Sequence, residues 1–572
     1  MTLHSRPPVV RVDAALLIPG RGPPIPNATL VAEGTKIVFV GKQSTLPSKY
    51  AQLDGLVVPF LLPGLWDCHV HFFGAPSFAP GVVTSTPAAL AGARSARDLA
   101  ATLNAGFTSI RELGGYGAQI AAAVEEGWLV GPNIYSSVSM LSQTAGHGDA
   151  REEDMAVLCS KMQQNMPFYI CDGEAECQRA VRTMIRRGAA VIKVATTGGG
   201  SSTDQLQARQ FSDAELVVMV QEAERAGLAV AAHCHGKEGI KAALRAGCRT
   251  LEHASFANDE CIALMKEKDV LFVPTRTAIN FALSNPQAWT PENYRKIVQL
   301  AEANLRTYTK AIRAGVRIAL GTDIGLSATT LPINHGMNGK EFVWAVEAGL
   351  TPLEAIEAGT ARGPESLMTN AIAHEIAGED ESDDGEPPLT KAPRSGQLNI
   401  GFDADFIAVS DNPLLDIAVL ANPEKTIHVK SLDFTCEEFR DLGCRSKSSE
   451  LPAYLGSVRP TAPSVWKYPE KYGTALSATN LFSERRLFPP LASFTPSTSP
   501  TVPAPQIFFL PWKTEAGHDI EGTTVQSPQS DYAKEKASIH EIAFSLSDDE
   551  YLVGFDGDDD PQNPLNWPRK RK

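Results

Sequence analysis

Between Leu61 and Leu367 short apolar runs alternate with helical stretches, and this alternation leaves few architectures open. The runs FTSI, NIYSSVS, AVIKVAT, LAVAAH, RTLEH, VLFVP and VRIALGTD read as strands, and stretches such as Asp213–Ala226 and Glu238–Ala246 read as helices. Strand–helix alternation at this spacing predicts βαβ units that feed a parallel sheet. With the runs ending near Trp66–His71 and Phe107–Leu113, roughly eight strands fall within about 300 residues. That number fits a (β/α)8 TIM barrel over residues 61–368 better than an open sheet.

The flanks have a different texture. VVRVDAALLI, ATLVAEG and KIVFVG, separated by Gly, Pro and Asn turns, read as short strands, and Gly396–Ile417 turns strand-like again. The expectation is a small β-sandwich built from both flanks of the barrel, residues 9–60 plus 395–430. Residues 369–394 read as an acidic loop insertion, since 375–386 hold seven acids and no base. From 446 to 572 Pro, Ser and Thr dominate without a steady period, which predicts a mostly disordered tail.

Charge and cysteine usage exclude several classes. Lys and Arg number 52 against 66 Asp and Glu, a net charge of −14, and an acidic chain repels nucleic acid and anionic membranes. Nine scattered cysteines without a CxxC pair suggest neither a disulfide framework nor a zinc knuckle, and fit reduced thiols in a cytoplasmic setting. No signal peptide is visible, and the most apolar stretch, Leu56–Trp66, is too short and too proline-rich to span a bilayer. The GGG at 198–200 lacks the GxGxxG pattern of dinucleotide sites.

The histidines within the barrel segment carry the chemistry. His69 and His71 stand two apart in a strand-like run and so share a face. Alone, the pair fits half a metal site or two solvent-facing rings. Lys193, His233, His235, His253 and Asp323 fall at the ends of later predicted strands. In a barrel those ends converge on one mouth, so a joint function outweighs five separate dull explanations. Lys193 lies among Val191, Ile192, Val194 and Ala195, where desolvation would free its amine. Two readings stay open for it: a carbamate able to bridge two cations, or an ion pair with Asp323. Cys68 and Cys234, between histidines, should be packed thiols, and Arg111-Glu112 should form a structural ion pair.

LPGLWDCHVHF, KVATTGG, AAHCHG, LEHAS and GTD together resemble the metal-dependent amidohydrolase superfamily, in the branch that contains ochratoxinase and Xaa-Pro dipeptidases. The likeness covers residues 9–428 and fills all six superfamily ligand positions in order. It implies one metal on His69, His71 and Asp323, a second on His233 and His253, and a carbamylated Lys193 bridging two divalent ions, usually zinc. It implies His235 and His147 as substrate contacts. Two cations sharing a water lower its pKa towards about 7, with Asp323 as proton acceptor and His235 helping to polarise the scissile carbonyl.

The activity implied is hydrolysis of N-acyl amino acids or dipeptides, a carboxypeptidase or amidase reaction on a small-molecule substrate by a homo-oligomer. On the same site a lactonase, a cyclic-imide hydrolase or an organophosphate hydrolase is the alternative, and a non-catalytic scaffold on this fold is a third. Two departures stand out. After TIHVK the text becomes SLDFTCEEFRD, so closure of the small β unit is expected to be imperfect. The last twenty residues, VGFDGDDDPQNPLNWPRKRK, resemble instead the N-terminal segment of fungal major-facilitator transporters, which suggests a fusion or gene-model origin for the tail.

Overall fold

The structure, a computed structural model, describes residues 8–77, 80–151, 153–164, 166–328, 333–373 and 392–429. The acidic run, the expected tail and its transporter-like end lie outside the described residues.

The chain opens with β1 (Val9–Leu17), β2 (Ile25–Glu33), β3 (Lys36–Lys42) and β4 (Gly55–Pro63). Gly34, at φ +61°, supplies the left-handed position of the tight turn between β2 and β3. β4 pairs parallel with β1 and runs past the expected boundary at residue 60. Gly64 alone then separates it from the first strand of the parallel system.

That system comprises β5 (Leu65–Ala75), β6 (Phe107–Glu112), β7 (Asn133–Ser136), β8 (Met140–Ser142), β9 (Phe168–Ile170), β10 (Ile192–Ala195), β11 (Val230–Cys234), β12 (Thr250–His253), β13 (Leu271–Val273), β14 (Arg317–Ile318) and β15 (Ile324–Leu326). They form two sheets, ordered β15-β5-β6-β7 and β14-β13-β12-β11-β10-β8-β9, with every pairing parallel. Backbone bonds join the two sheets along both margins. Ala190 N–H donates to Ser136 O (2.8 Å) at one margin, and Cys68 N–H to Leu320 O (2.8 Å) at the other.

The connecting helices follow the apolar period of the sequence. Asp213–Arg225 starts at a Ser212/Glu215 capping box and buries Leu216, Met219, Val220 and Ala223, a stripe at i, i+3, i+4 and i+7. Lys237–Ala246 stops at Gly247, whose φ of +95° is the left-handed conformation that ends helices. These stripes pack on Ile192, Val194, Val230, Ala232 and Leu251, the outward residues of β10–β12, and leave the opposite strand face for the site.

Two late strands, β16 (Phe406–Val409) and β17 (Thr426–Val429), return to the opening unit. The order β17-β16-β4-β1-β2-β3 makes one six-stranded sheet, which corrects the expected two-sheet sandwich. The reason is the edge that β4 leaves free: β16 pairs antiparallel along it, Phe60 opposite Val409, and extends the same sheet. β17 pairs with β16 from Phe406↔Val429 to Val409↔Thr426, so the described sheet closes as far as Val429 despite the unusual sequence that follows. Val12, Leu17, Leu30, Leu61 and Phe406 form its own buried cluster.

Gly64 sits where the two units meet, and a Cβ there would collide with the Thr108 side chain. Gly64→Ala should therefore destabilise the protein by about 1–3 kcal/mol, read as a lower urea midpoint, and Thr108→Ala in the same chain should recover part of the loss.

Candidate metal centre

In β5, Val70 and Phe72 pack outward against Leu99, Ile110 and Ile120, so the alternating His69 and His71 turn inward. His69 Nδ1 meets Glu252 Oε2 at 2.8 Å, and His71 Nδ1 meets the Gly114 carbonyl at 2.7 Å. Both partners accept only, so Nδ1 carries the proton and each Nε2 keeps its lone pair. These two Nε2 atoms face Asp323 Oδ1 at 3.5 and 3.1 Å. Asp323 has a left-handed backbone (φ +58°), and its N–H donates to His69 O at 2.6 Å. Burial would raise its carboxyl, but His69, His71 and Lys193 override that and hold it below the ordinary carboxylate value.

Lys193 points inward from β10 and is 1% exposed. Its Nζ lies 3.5 Å from His69 Nε2, so Lys193 and Asp323 contact the same imidazole nitrogen. Among the described residues Lys193 makes no close ion pair with a carboxylate, although the charges of Glu252 and Asp323 favour its ammonium form. Burial pushes its amine down to about 8.

β11 and β12 supply the remaining rings. His233 Nε2 reaches Gly198 O at 3.1 Å, which assigns its proton there and leaves Nδ1 as the lone-pair atom. His235 Nδ1 contacts Ser255 Oγ at 3.0 Å. Alternation along β12 turns Thr250 and Glu252 inward and Leu251 outward, and would send His253 outward too. Left-handed backbone at His253 (φ +67°) and Ala254 (φ +38°) re-aims the ring into the site. There His253 Nδ1 meets Thr275 Oγ1 at 2.6 Å. The Thr275 hydroxyl already donates to Pro274 O, so the imidazole must be the donor and its Nε2 is free. His147 is fixed the same way: Ser202 donates to Asp204 and accepts from His147 Nδ1 at 2.8 Å.

The pocket thus brings together His69, His71, His147, Lys193, His233, His235, His253 and Asp323. Ring centroids are 5.0 Å apart for His69 and His253, 4.7 Å for His233 and His253, and 4.2 Å for His147 and His233. Two sets could each hold an ion: His69, His71 and Asp323, and His233, His235 and His253, with ligand atoms within 4.8 Å of one another in each. His235 lies almost as near His253, at 4.9 Å, as His233 does, so geometry alone groups all three. Burial holds His69 to about 4, His235 to about 3, and His233 and His253 well below the ordinary value. Neutral imidazoles beside one ionised carboxylate are the donors that a divalent ion of the zinc type requires. Above them the pocket is walled by Phe73, Met140, Phe168, Ile279, Trp289 and Leu300.

Some supporting residues escaped the sequence. Glu252, inside LEHAS, holds His69, and its other oxygen accepts from Arg111 Nη2 at 2.8 Å. The expected Arg111–Glu112 pair does not form, because neighbours on a strand face opposite sides. Glu112 instead accepts from Phe72 and Gly117 N–H and from Ser136. Gly198 bonds His233, and Gly199 lies so close to His147 that a Cβ would strike the ring. The GGG run therefore shapes the pocket, and its missing side chains were the available signal. Cys68 and Cys234 are buried free thiols, pushed up by burial, Cys68 to about 12.

Residues 60–371 match the model of the Amidohydrolase family. The chain belongs to that family. This amidohydrolase is similar to ochratoxinase of Aspergillus niger, at 43% identity over 454 residues that cover 75% of this chain and 88% of that protein. The crystal structure of A. niger ochratoxinase aligns with a TM-score of 0.66 at 41% identity, covering 75% of this chain and 95% of its own. A Xaa-Pro dipeptidase with bound methionine in its active site aligns at 0.61 and 28% identity, covering 74% and 100%. The amidohydrolase is thus a hydrolytic enzyme acting on amide bonds, in a family that generally uses divalent metals. No helix among its described residues is long and apolar enough to cross a membrane.

Glu252→Gln keeps the volume but strands the buried Arg111 charge, and should cost about 3–5 kcal/mol in chemical denaturation at neutral pH. Burial opposes ionisation of Glu252, but Arg111 and His69 depress it from 4.5 to about 2. The stability it contributes is complete above the unfolded value and is lost as pH falls through the folded one. The gap between the two proteins should therefore shrink from pH 4.5 towards 2.

Proposed function

We propose that this amidohydrolase cleaves the amide bond between an acyl or aryl-acyl group and an amino acid, releasing the residue on the C-terminal side. The observation that carries the reading is the union, in one pocket, of an imidazole–carboxylate–lysine donor set with a wall of Phe73, Phe168, Trp289 and aliphatic side chains. Such a wall suits an apolar acyl group, while the polar floor suits the scissile bond. Relatives whose names mark an ochratoxinase and a Xaa-Pro dipeptidase support it.

We read the two hydrogen-bonded parallel sheets as one closed (β/α)8 barrel over 61–368, flanked by a unit of 9–60 plus 395–430. The donors then occupy the C-terminal strand ends, where barrel enzymes keep their active sites. His69, His71 and Asp323 would hold one divalent ion, and His233 and His253 a second, zinc being the metal this set suits. Lys193 would lie between them as a carbamate, formed when its neutral amine adds to CO2 and gives up a proton. When bound, such a pair of ions lowers the pKa of water towards about 7 and polarises a carbonyl oxygen.

The chain's own groups do the rest. Asp323, ionised at neutral pH, takes a proton from the attacking water and returns it to the leaving nitrogen. His235, held through Nδ1 by Ser255, offers its other nitrogen to the scissile carbonyl. His147, braced by Ser202 and Asp204, contacts the bound substrate. The apolar wall excludes bulk water from the reacting bond.

Asp323→Asn should lower kcat by about 100- to 10,000-fold with little change in KM, whereas His69→Ala should also lose bound metal by elemental analysis. A panel of N-acyl amino acids, X-Pro dipeptides, lactones and phosphotriesters tests the specificity. Turnover of the first two classes is expected, and a metal-loaded protein that hydrolyses only the others would overturn the reading.

A further inference from the structure

One buried imidazole takes no part in the reaction proposed above. His335 stands in the segment 333–339, between β15 and the helix Lys340–Ala348, and is 4% exposed. Its Nε2 lies 3.2 Å from His71 O. A carbonyl oxygen only accepts, so Nε2 carries the proton and donates it there. The ring also stacks on Phe72, with centroids 4.3 Å apart.

That bond falls where β5 leaves its regular ladder. β5 and β15 pair at Val70↔Ile324 and again at Ala75↔Leu326, so the register shifts and His71–Gly74 face Gly325 alone. Such bulges re-aim the side chains they carry. His71 opens this one, and its Nε2 must meet His69 Nε2 and Asp323 Oδ1 around a common point. The Gly114 carbonyl fixes the rotation of the His71 ring through Nδ1, and His335 fixes the backbone from which that ring springs. From the same segment Asn338 Nδ2 donates to Asp67 Oδ2 (2.8 Å), while Asp67 Oδ1 accepts from His69 N–H (3.1 Å) and Thr322 N–H (3.0 Å). Residues 335 and 338 thus hold both ends of the stretch that carries the H-x-H pair.

We infer that His335 is a positioning residue, which keeps His71 in the geometry that binds the ion shared with His69 and Asp323; this rests on the metal site proposed above. His233 and His253 stand on other strands, β11 and β12, so loss of His335 should weaken one ion and spare the other. Outer partners of metal ligands are worth about 10- to 100-fold in metal affinity.

Zinc per chain, measured by elemental analysis after the full chain is equilibrated against buffers of rising free zinc, tests this. The native chain is expected to load two ions, and His71→Ala, which deletes one step, identifies the ion concerned. His335→Phe keeps the stack on Phe72 but removes the donor, and should move that step alone to about tenfold higher free zinc. His335→Gln, whose amide Nε2 has the same reach, should restore it. Where the ring replacement fails to fold, the more adaptable His335→Met reads the same loss. Equal shifts of both steps, no shift, or a Gln variant as weak as the Phe variant overturns the inference and leaves the metal site standing. A native chain that loads no zinc overturns both.

Discussion

Arg111 has no exposed surface, yet every face of its guanidinium is bonded. Nε donates to Cys68 O at 2.6 Å, Nη1 to Thr250 Oγ1 at 3.0 Å and Ser366 O at 3.2 Å, and Nη2 to Glu252. One side chain thereby ties β5, β6 and β12 to the C-terminal end of the Arg362–Glu365 helix. Desolvating such a charge costs several kcal/mol, which only a complete set of acceptors offsets. Glu252 extends the chain of bonds to His69, and His69 fixes the spacing of Lys193 and Asp323. The positions of the reactive groups descend from a salt bridge that touches neither substrate nor solvent.

Backbone conformation supplies what strand geometry withholds. His253, Thr275 and Asp323 all adopt the left-handed region, at about 1–3 kcal/mol each for residues with a Cβ. Each is tied down locally. Asn304 Nδ2 donates to His253 O (3.2 Å) and Pro274 O (2.9 Å), and Asp67 accepts from Thr322 N–H (3.0 Å) and Asn338 (2.8 Å) beside Asp323. Strain therefore gathers where three rigid strands must deliver side chains to a common centre.

Much of this was legible in the sequence and some was not, for stated reasons. The H-x-H pair, Lys193 and His233 obey the two-residue period of a strand, so their facing followed from spacing alone. His253 and Asp323 were found by type and by their place at strand ends, although their side chains arrive through backbone conformations that no period encodes. Glu252 was hidden because its partner Arg111 is 141 positions away, while the adjacent Glu112 offered a false one. The single small sheet was hidden for the same reason: β4 pairs with β1 nearby and with β16 only across the whole parallel system.

That last pairing bears on how the molecule is assembled. As the chain emerges in order from the ribosome, β1 to β4 are made first, yet the edge of β4 waits for Phe406–Val409. Until then a strand row of Leu61, Leu62 and their neighbours offers unpaired N–H and C=O groups to any passing strand. Contacts of such long sequence separation form late. The early unit thus depends, during biosynthesis, on whatever shields that border until the far end of the fold arrives.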